Sequence, residues 1–268
     1  MKFVPRRLNK SADASRGRPR WKDWVKGLTS VALIGAVVYL LLGLAADSVA
    51  DRISEETEVK WFQWVDFGDA PSSHPGFDRA QRVFDRLCRD PELRPLPYKL
   101  VYLDGEAPNA FALPGGLVAV TEGLLDMVDS EIGLAFVLAH ELGHHQNRHA
   151  LKRLGRALVT RAAIALASGA GDLSVLDNGL TLAGLAHTRG QEREADHFGL
   201  DLVHRVYGTT AGAFEFFEDV HAISGDGNRF AAMLHSHPLT EDRIEELQEH
   251  AAQLPDTAPA ELHNPQNF

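Results

Sequence analysis

Apolar and polar positions change period several times along the chain. Gly27 to Ala46 is an apolar run with no charged residue between Lys26 and Asp47. Twenty residues at about 1.5 Å per residue span about 30 Å, the hydrocarbon thickness of a bilayer. A buried core helix would keep a polar stripe, and this run has none, so the pattern predicts a transmembrane helix. Further on, Phe77, Ala80, Val83, Phe84 and Leu87 recur at helical spacing, and Pro91, Pro95 and Pro97 prevent continuation. Tyr98 to Leu103 has strand composition, and Gly115-Gly116 separates the apolar runs 110–113 and 117–120, predicting a short β unit with a hairpin-like turn. From Gly123 the spacing predicts helix, with a mostly buried one running from Ser130 to about Leu154. A second apolar region, Ala157 to Ala170, is interrupted by Arg161 and reads as a buried or membrane-grazing helix. Helices are also expected at Glu192 to Val206, Ala211 to Ile223 and Thr240 to Ala252.

Charge sharpens this division. The net charge of the 268 residues is -10. Residues 1–27 hold nine Lys and Arg against two Asp, a net of +7, which leaves -17 for the rest. So acidic a body lacks the clustered cations that nucleic-acid phosphates require, and nucleic-acid binding is excluded as a function class. The basic side of the apolar run is expected to stay cytoplasmic, with Trp21 and Trp24 at the interface. That orientation puts the N-terminus in the cytoplasm and the acidic body outside a bacterial-type inner membrane, as a single-pass protein. Ser48-Val49-Ala50 resembles a signal-peptidase site, so a cleaved leader competes with an anchor; the length of the basic leader and of the apolar run favours the anchor. The one cysteine, Cys88, permits no intramolecular disulfide.

The candidate chemistry lies in His140-Glu141-Leu142-Gly143-His144, an H-E-x-x-H pattern within a segment read as helical on other grounds. At about 100° per residue His140 and His144 lie about 40° apart on one face, so both imidazoles can reach one metal. This is the pattern of a tetrahedral zinc site with one open position. Two histidines and a glutamate in so apolar a segment would be costly to bury without partners, and a metal supplies one. By the same count His145 and His149 point elsewhere and read as polar helix residues or outer hydrogen-bonding groups. A third ligand must come from another segment. Glu192 and Asp196, i and i+4 on a helix, can provide one carboxylate for the metal and one for the outer N–H of a ligating histidine. Glu194 falls on the far side of that helix and is assigned to the surface.

These motifs resemble the M48 family of zinc metallopeptidases. The likeness rests on His140 to His144, Glu192 to Asp196, Pro108 to Gly116, and His237-Pro238 followed by Arg243, and covers roughly Phe77 to Leu254. It implies an α+β, mainly helical fold, gluzincin-like, with the small β unit flanking the active-site helix. It also implies one Zn2+ on His140, His144 and Glu192, Glu141 as catalytic carboxylate, and quality control of misfolded or misassembled proteins at a membrane.

The expected organisation is a basic cytoplasmic tail (1–26), a lipid-contacting anchor (27–46), a juxtamembrane linker (47–75), the metallopeptidase domain (76–254) and a loose tail (255–268). Three protein ligands leave a fourth position for a water, whose pKa zinc lowers from about 15.7 to about 7, and Glu141 can take its proton and pass it to the leaving amine. His237 or Arg243 could stabilise the oxyanion; alternatively His237 could fill the open position and hold the enzyme latent. Asn109, Ala110, Phe111 and Ala112 could pair with substrate backbone as an edge strand, or form a purely structural hairpin. The competing class is a chaperone-like binding protein with a structural or latent zinc site.

Overall fold

A computed structural model describes residues 21–63, 74–168, 187–215, 231–238 and 240–257. The apolar run lies within helix α1 (Trp21–Ala50), the one helix among the described residues long and apolar enough to cross a membrane. Nearly all of its side chains are exposed.

The segment read as a linker is partly built into the domain. Helix α2 (Glu55–Phe62), capped by Ser54, buries Glu58, whose carboxylate receives Arg94 Nη2 at 2.8 Å and the backbone N–H of Gly115 at 3.0 Å. A glutamate buried in this way is stable because each oxygen has a donor. Trp61 is exposed, and Trp64 lies outside the described residues.

Helix α3 (Pro75–Leu87) starts on His74, whose Nδ1 accepts from Phe77 N, and buries Ala80, Val83, Phe84 and Leu87. Three strands follow: β1 (Lys99–Leu103), β2 (Ala110–Leu113) and β3 (Leu117–Thr121), in the order β1-β3-β2. β3 pairs parallel with β1, with Lys99 opposite Leu117, and antiparallel with β2, with Ala110 opposite Val120. The β2–β3 turn has Gly115 and Gly116 at φ of 89° and 93°, left-handed conformations that explain the glycine pair. Alternation along the strands sends Leu100, Ala110, Val118 and Val120 into the main core, and Val101, Phe111, Leu113 and Ala119 into a smaller cluster on the other face.

The main core packs α3, a short helix α4 (Glu122–Leu125) and the sheet around α5 (Glu131–Gln146), every residue of which from Ile132 to His145 is buried. The predicted continuous helix to Leu154 is in fact two. Asn147 caps α5, Arg148 takes a positive φ of 58°, and α6 (His149–Ser168) departs in a new direction. The chain then contributes α7 (Arg189–Tyr207), α8 (Ala231–Ser236) and α9 (Glu241–Ala251). At the predicted Ala211 to Ile223 helix the chain makes turns over 211–214, and residues 216–223 lie outside the described residues.

Candidate metal centre

The site is made where α7 crosses α5, and two glycines let them approach. A Cβ on Gly143 would stand 2.8 Å from the carbonyl oxygen of Ala195, and one on Gly199 2.9 Å from the amide nitrogen of His140. Both distances are closer than a real methyl group tolerates, so these glycines permit backbone contact that side chains would forbid. α7 begins at a reciprocal cap in which Thr188 Oγ1 accepts from Gln191 N and Gln191 Oε1 accepts from Thr188 N. The crossing brings Glu192 and Asp196 against His140 and His144 of α5, and all four are nearly inaccessible to solvent.

His140 Nδ1 lies 2.9 Å from Asp196 Oδ1, and its Nε2 lies 3.0 Å from His144 Nε2. A carboxylate only accepts, so Asp196 beside Nδ1 of His140 favours the tautomer with its proton there and a lone pair on Nε2. His144 Nδ1 is 2.8 Å from His149 Nδ1, and His149 Nε2 is 3.0 Å from Glu194 Oε2. The same reasoning gives His149 its proton on Nε2 and His144 its proton on Nδ1, leaving a second lone pair at His144 Nε2. Two lone pairs 3.0 Å apart repel, and a cation between them relieves that repulsion. Glu192 adds Oε1 at 3.5 Å from His144 Nε2 and Oε2 at 3.6 Å from His140 Nε2. His237 adds Nδ1, 3.2 Å from His140 Nε2 and 3.1 Å from Glu192 Oε1. Donors of a tetrahedral zinc site at about 2.0–2.1 Å from the metal are about 3.4 Å apart, so this donor set fits such an ion.

Arg243 on α9 fixes both acids. Its Nη1 lies 2.6 Å from Glu192 Oε2, while Nε and Nη2 form a fork to Asp196 and Nη1 also donates to the Pro238 carbonyl. Burial would raise the pKa values of both carboxyls, but the cations and donors around them outweigh it: His237 chiefly for Glu192, Arg243 chiefly for Asp196. Both are held below the usual carboxylate range. His144 is driven the other way, since burial and the neighbouring imidazoles keep it neutral, the state a metal ligand needs. Burial would also lower His237, yet Glu141 and Glu192 prevail and raise it. Glu141 turns Oε1 toward His237 Nε2 at 3.5 Å, and among the described residues its Oε2 has no hydrogen-bond partner. The carboxylate borders a cavity shared with Ala110, Phe136, Met233 and His237.

The profile of Peptidase family M48 matches residues 76–251. The chain belongs to this family. Among curated proteins the M48 chain is 33% identical over 192 residues to the mitochondrial metalloendopeptidase OMA1 of Schizosaccharomyces pombe, covering 69% of this chain and 56% of that protein. It is 35% identical over 177 residues to a putative beta-barrel assembly-enhancing protease of Vibrio cholerae, covering 59% and 36%. Metalloprotease LoiP of Escherichia coli is 28% identical over 231 residues, covering 83% and 87%. The chain thus spans about half the length of the first of these relatives and about a third of the second.

Within the M48 domain the residues singled out from sequence are distributed unevenly around the metal position. His140, Glu141, His144, Glu192, Asp196, His237 and Arg243 converge on it. The guanidinium of Arg243 is engaged by the carboxylates of Glu192 and Asp196 and by the Pro238 carbonyl. β2 is a sheet edge, pairing with β3 alone among the described strands; Ala110 reaches the cavity, Ala112 is buried, and Phe111 faces the smaller cluster. Asn109 lies nearby, with Ser236 Oγ 3.4 Å from its Oδ1.

One residue of the centre was missed, and another was read as an outer hydrogen-bonding group without its partner. The latter is His149: the helical count turned it away from His140, but the break at Arg148 brings it to His144, with Glu194 behind it. His187, buried just before the Thr188 cap, stacks on His144 at 3.7 Å between ring centroids. Asn147, a residue suited to helix termination, was a signal for the break; His187 had none beyond its place next to the cap.

Proposed function

We propose that this M48 metallopeptidase is a membrane-anchored zinc endopeptidase that cleaves misfolded or misassembled membrane or envelope proteins. The observation that carries the peptidase reading is Glu141: a buried carboxylate with one oxygen unpartnered among the described residues, adjoining both the ligand cluster and a cavity. A purely structural zinc site has no use for such a group.

His140, His144 and Glu192 would hold the ion, with Asp196 and His149 orienting the two histidines and Arg243 holding the acids. Zinc bound there supplies a Lewis acid that makes a water nucleophilic near neutral pH and polarises the peptide carbonyl. Glu141 removes the water's proton and delivers it to the departing amine. The low exposure around it keeps bulk water out and strengthens each charge interaction. Residues 109–112 offer a strand edge to substrate backbone, which suits a protease that must accept many sequences.

The envelope as workplace draws support from the relatives named for beta-barrel assembly and from α1. On this reading residues 27–46 cross the membrane, with the basic N-terminus in the cytoplasm and the domain beyond the membrane. A latent form is a second reading, favoured by His237 Nδ1, which lies where a fourth ligand would. The test is degradation of an unfolded model protein by wild type, Glu141→Gln and chelator-treated protein. Activity should vanish in the last two, and equal activity in all three would overturn the assignment. A reporter fused after residue 60 should be active only outside the cytoplasm, and the opposite result would reverse the orientation.

A further inference from the structure

α6 leaves the metal centre at His149 and runs alongside α1. Lys152 Nζ sits 2.8 Å from Asp51 Oδ1, Arg156 grips both carboxylate oxygens of Asp47, and Tyr39 Oη lies 2.8 Å from Thr160 Oγ1. Rising numbers on α6 pair with falling numbers on α1, so the helices are antiparallel. The ion pairs lie at one level, around Asp47 and Asp51. Past that level both helices become apolar: α1 has no charge from Ala46 back to Gly27, and α6 from Ala157 to Ser168 carries only Arg161.

Burial does not follow. Leu158, Ile164 and Leu166 of α6 are 45%, 56% and 84% exposed, much like Leu40 of α1 at 64%. Exposing one leucine is ordinary, but a helix that leaves Leu158, Ile164 and Leu166 uncovered along one apolar stretch, aligned with a candidate membrane span, needs a partner. We infer that α6 beyond Arg156 is embedded in the bilayer beside α1, as a second lipid-contacting helix. This rests on the membrane-anchor reading of α1.

The dimensions agree with it. Ser168 is twelve residues past Arg156, about 18 Å along the axis at about 1.5 Å per residue, within a hydrocarbon layer of about 30 Å. Arg161 is only five residues, about 7 Å, past the ion pairs, close enough for its long side chain to reach the headgroups. His149 lies seven residues on the other side of Arg156, about 10 Å, and touches the metal ligand His144. The catalytic centre is therefore tethered close to the lipid surface, and the substrates that fit are polypeptide segments lying on, or emerging from, the bilayer.

The test is spin-label accessibility in the full chain, with Cys88→Ala and single cysteines introduced by Ile164→Cys or Leu166→Cys, reconstituted in phosphatidylethanolamine–phosphatidylglycerol vesicles. Leu40→Cys is the lipid reference and Lys99→Cys the water reference. Labels at 164 and 166 should collide with oxygen in preference to a water-soluble nickel chelate, as the label at 40 does. Preference for the chelate at 164 and 166, or shielding from both reagents as a protein partner would give, overturns the inference while Leu40 still reads lipid. A chelate-accessible Leu40 would instead remove the anchor reading itself, and this inference with it.

Discussion

His144 and His149 share a proton between their Nδ1 atoms across 2.8 Å, although a helix break separates them. Glu194 completes the line from behind, so a surface carboxylate fixes the tautomer of His149, which fixes that of His144. His149→Ala should lower metal affinity by about 10- to 100-fold, as removal of an outer partner of a ligating histidine typically does. Glu194→Gln should have a smaller effect, because its side chain is 61% exposed and water can replace it. Competition against a chromophoric chelator measures both, and unchanged affinity in His149→Ala would dismiss the relay.

Arg243 neutralises two buried carboxylates at once. Its removal leaves both facing a low-dielectric interior, a loss of about 3–5 kcal/mol for a broken buried pair. Arg243→Ala should therefore destabilise the metal-free protein strongly and the loaded protein less, since the cation takes over part of the charge of Glu192. Urea unfolding with and without chelator reads the difference; equal losses in the two states would mean that Arg243 supports the fold without regard to the metal site.

Much of this centre was legible in the sequence because the relevant spacings are local. His140 and His144 on one face, and Glu192 and Asp196 one turn apart, follow from the helical period alone. α3 and α9 were legible for the same reason: apolar spacing and proline punctuation in one, a Thr cap in the other. Extrapolating the same period through Arg148 was what failed. A single residue of positive φ resets the phase of everything after it, and apolar composition continues across the break without marking it. Arg243 was legible as a member of the site but its partners were not, because they lie 47 and 51 positions away and only the packing of α9 against α7 brings them together. The parallel pairing of β1 with β3 was equally hidden, since strand composition says nothing about which strand becomes central.

The crossing of α5 with α7 makes its own prediction. Gly143→Ala and Gly199→Ala each push a methyl into opposing backbone, which cannot rotate away. Each should cost roughly 1–3 kcal/mol by overpacking and should weaken metal binding, because Glu192 and Asp196 retreat with α7. Gly190→Ala is the control: nothing lies closer than 4.0 Å to a Cβ there, and Ala in a helix should be neutral or gain up to about 1 kcal/mol. Thermal unfolding and metal titration of the three variants would expose a failure if Gly190→Ala proved as damaging as the others.

His145 gives the apo protein a measurable acid sensitivity. It is buried with Nε2 2.9 Å from the Leu117 carbonyl, and burial pushes its pKa from the ordinary 6.5 to about 4. A histidine depressed in the folded state contributes its full stability above pH 6.5 and loses it as pH falls toward 4, because only the unfolded chain readily takes the proton. The loss over that window is about 3 kcal/mol at about 1.36 kcal/mol per pKa unit. His145→Gln keeps a donor for Leu117 and does not titrate. With chelator present throughout, the stability gap between wild type and variant should narrow or reverse on acidification, and a gap independent of pH would reject the assignment.

His237 faces two ways, and its two nitrogens separate the roles it could fill. Nδ1 lies among the metal donors, 3.2 Å from His140 Nε2, whereas Nε2 is 3.5 Å from Glu141 Oε1, the carboxylate that must handle protons. If Nδ1 serves as a fourth ligand, it occupies the position that water or a carbonyl needs, and the resting protein is held back until the segment carrying His237 moves. His237→Ala should then raise basal peptidase activity while weakening metal affinity, because a ligand is lost and a coordination position opens. Stabilisation of the oxyanion by the same imidazole makes the opposite demand: a large fall in turnover, of the order of 10- to 1000-fold for a lost transition-state donor, with metal affinity little changed. Measuring both quantities in one variant decides between them, and the proximity of Nδ1 to both His140 and Glu192 leads us to expect the rise.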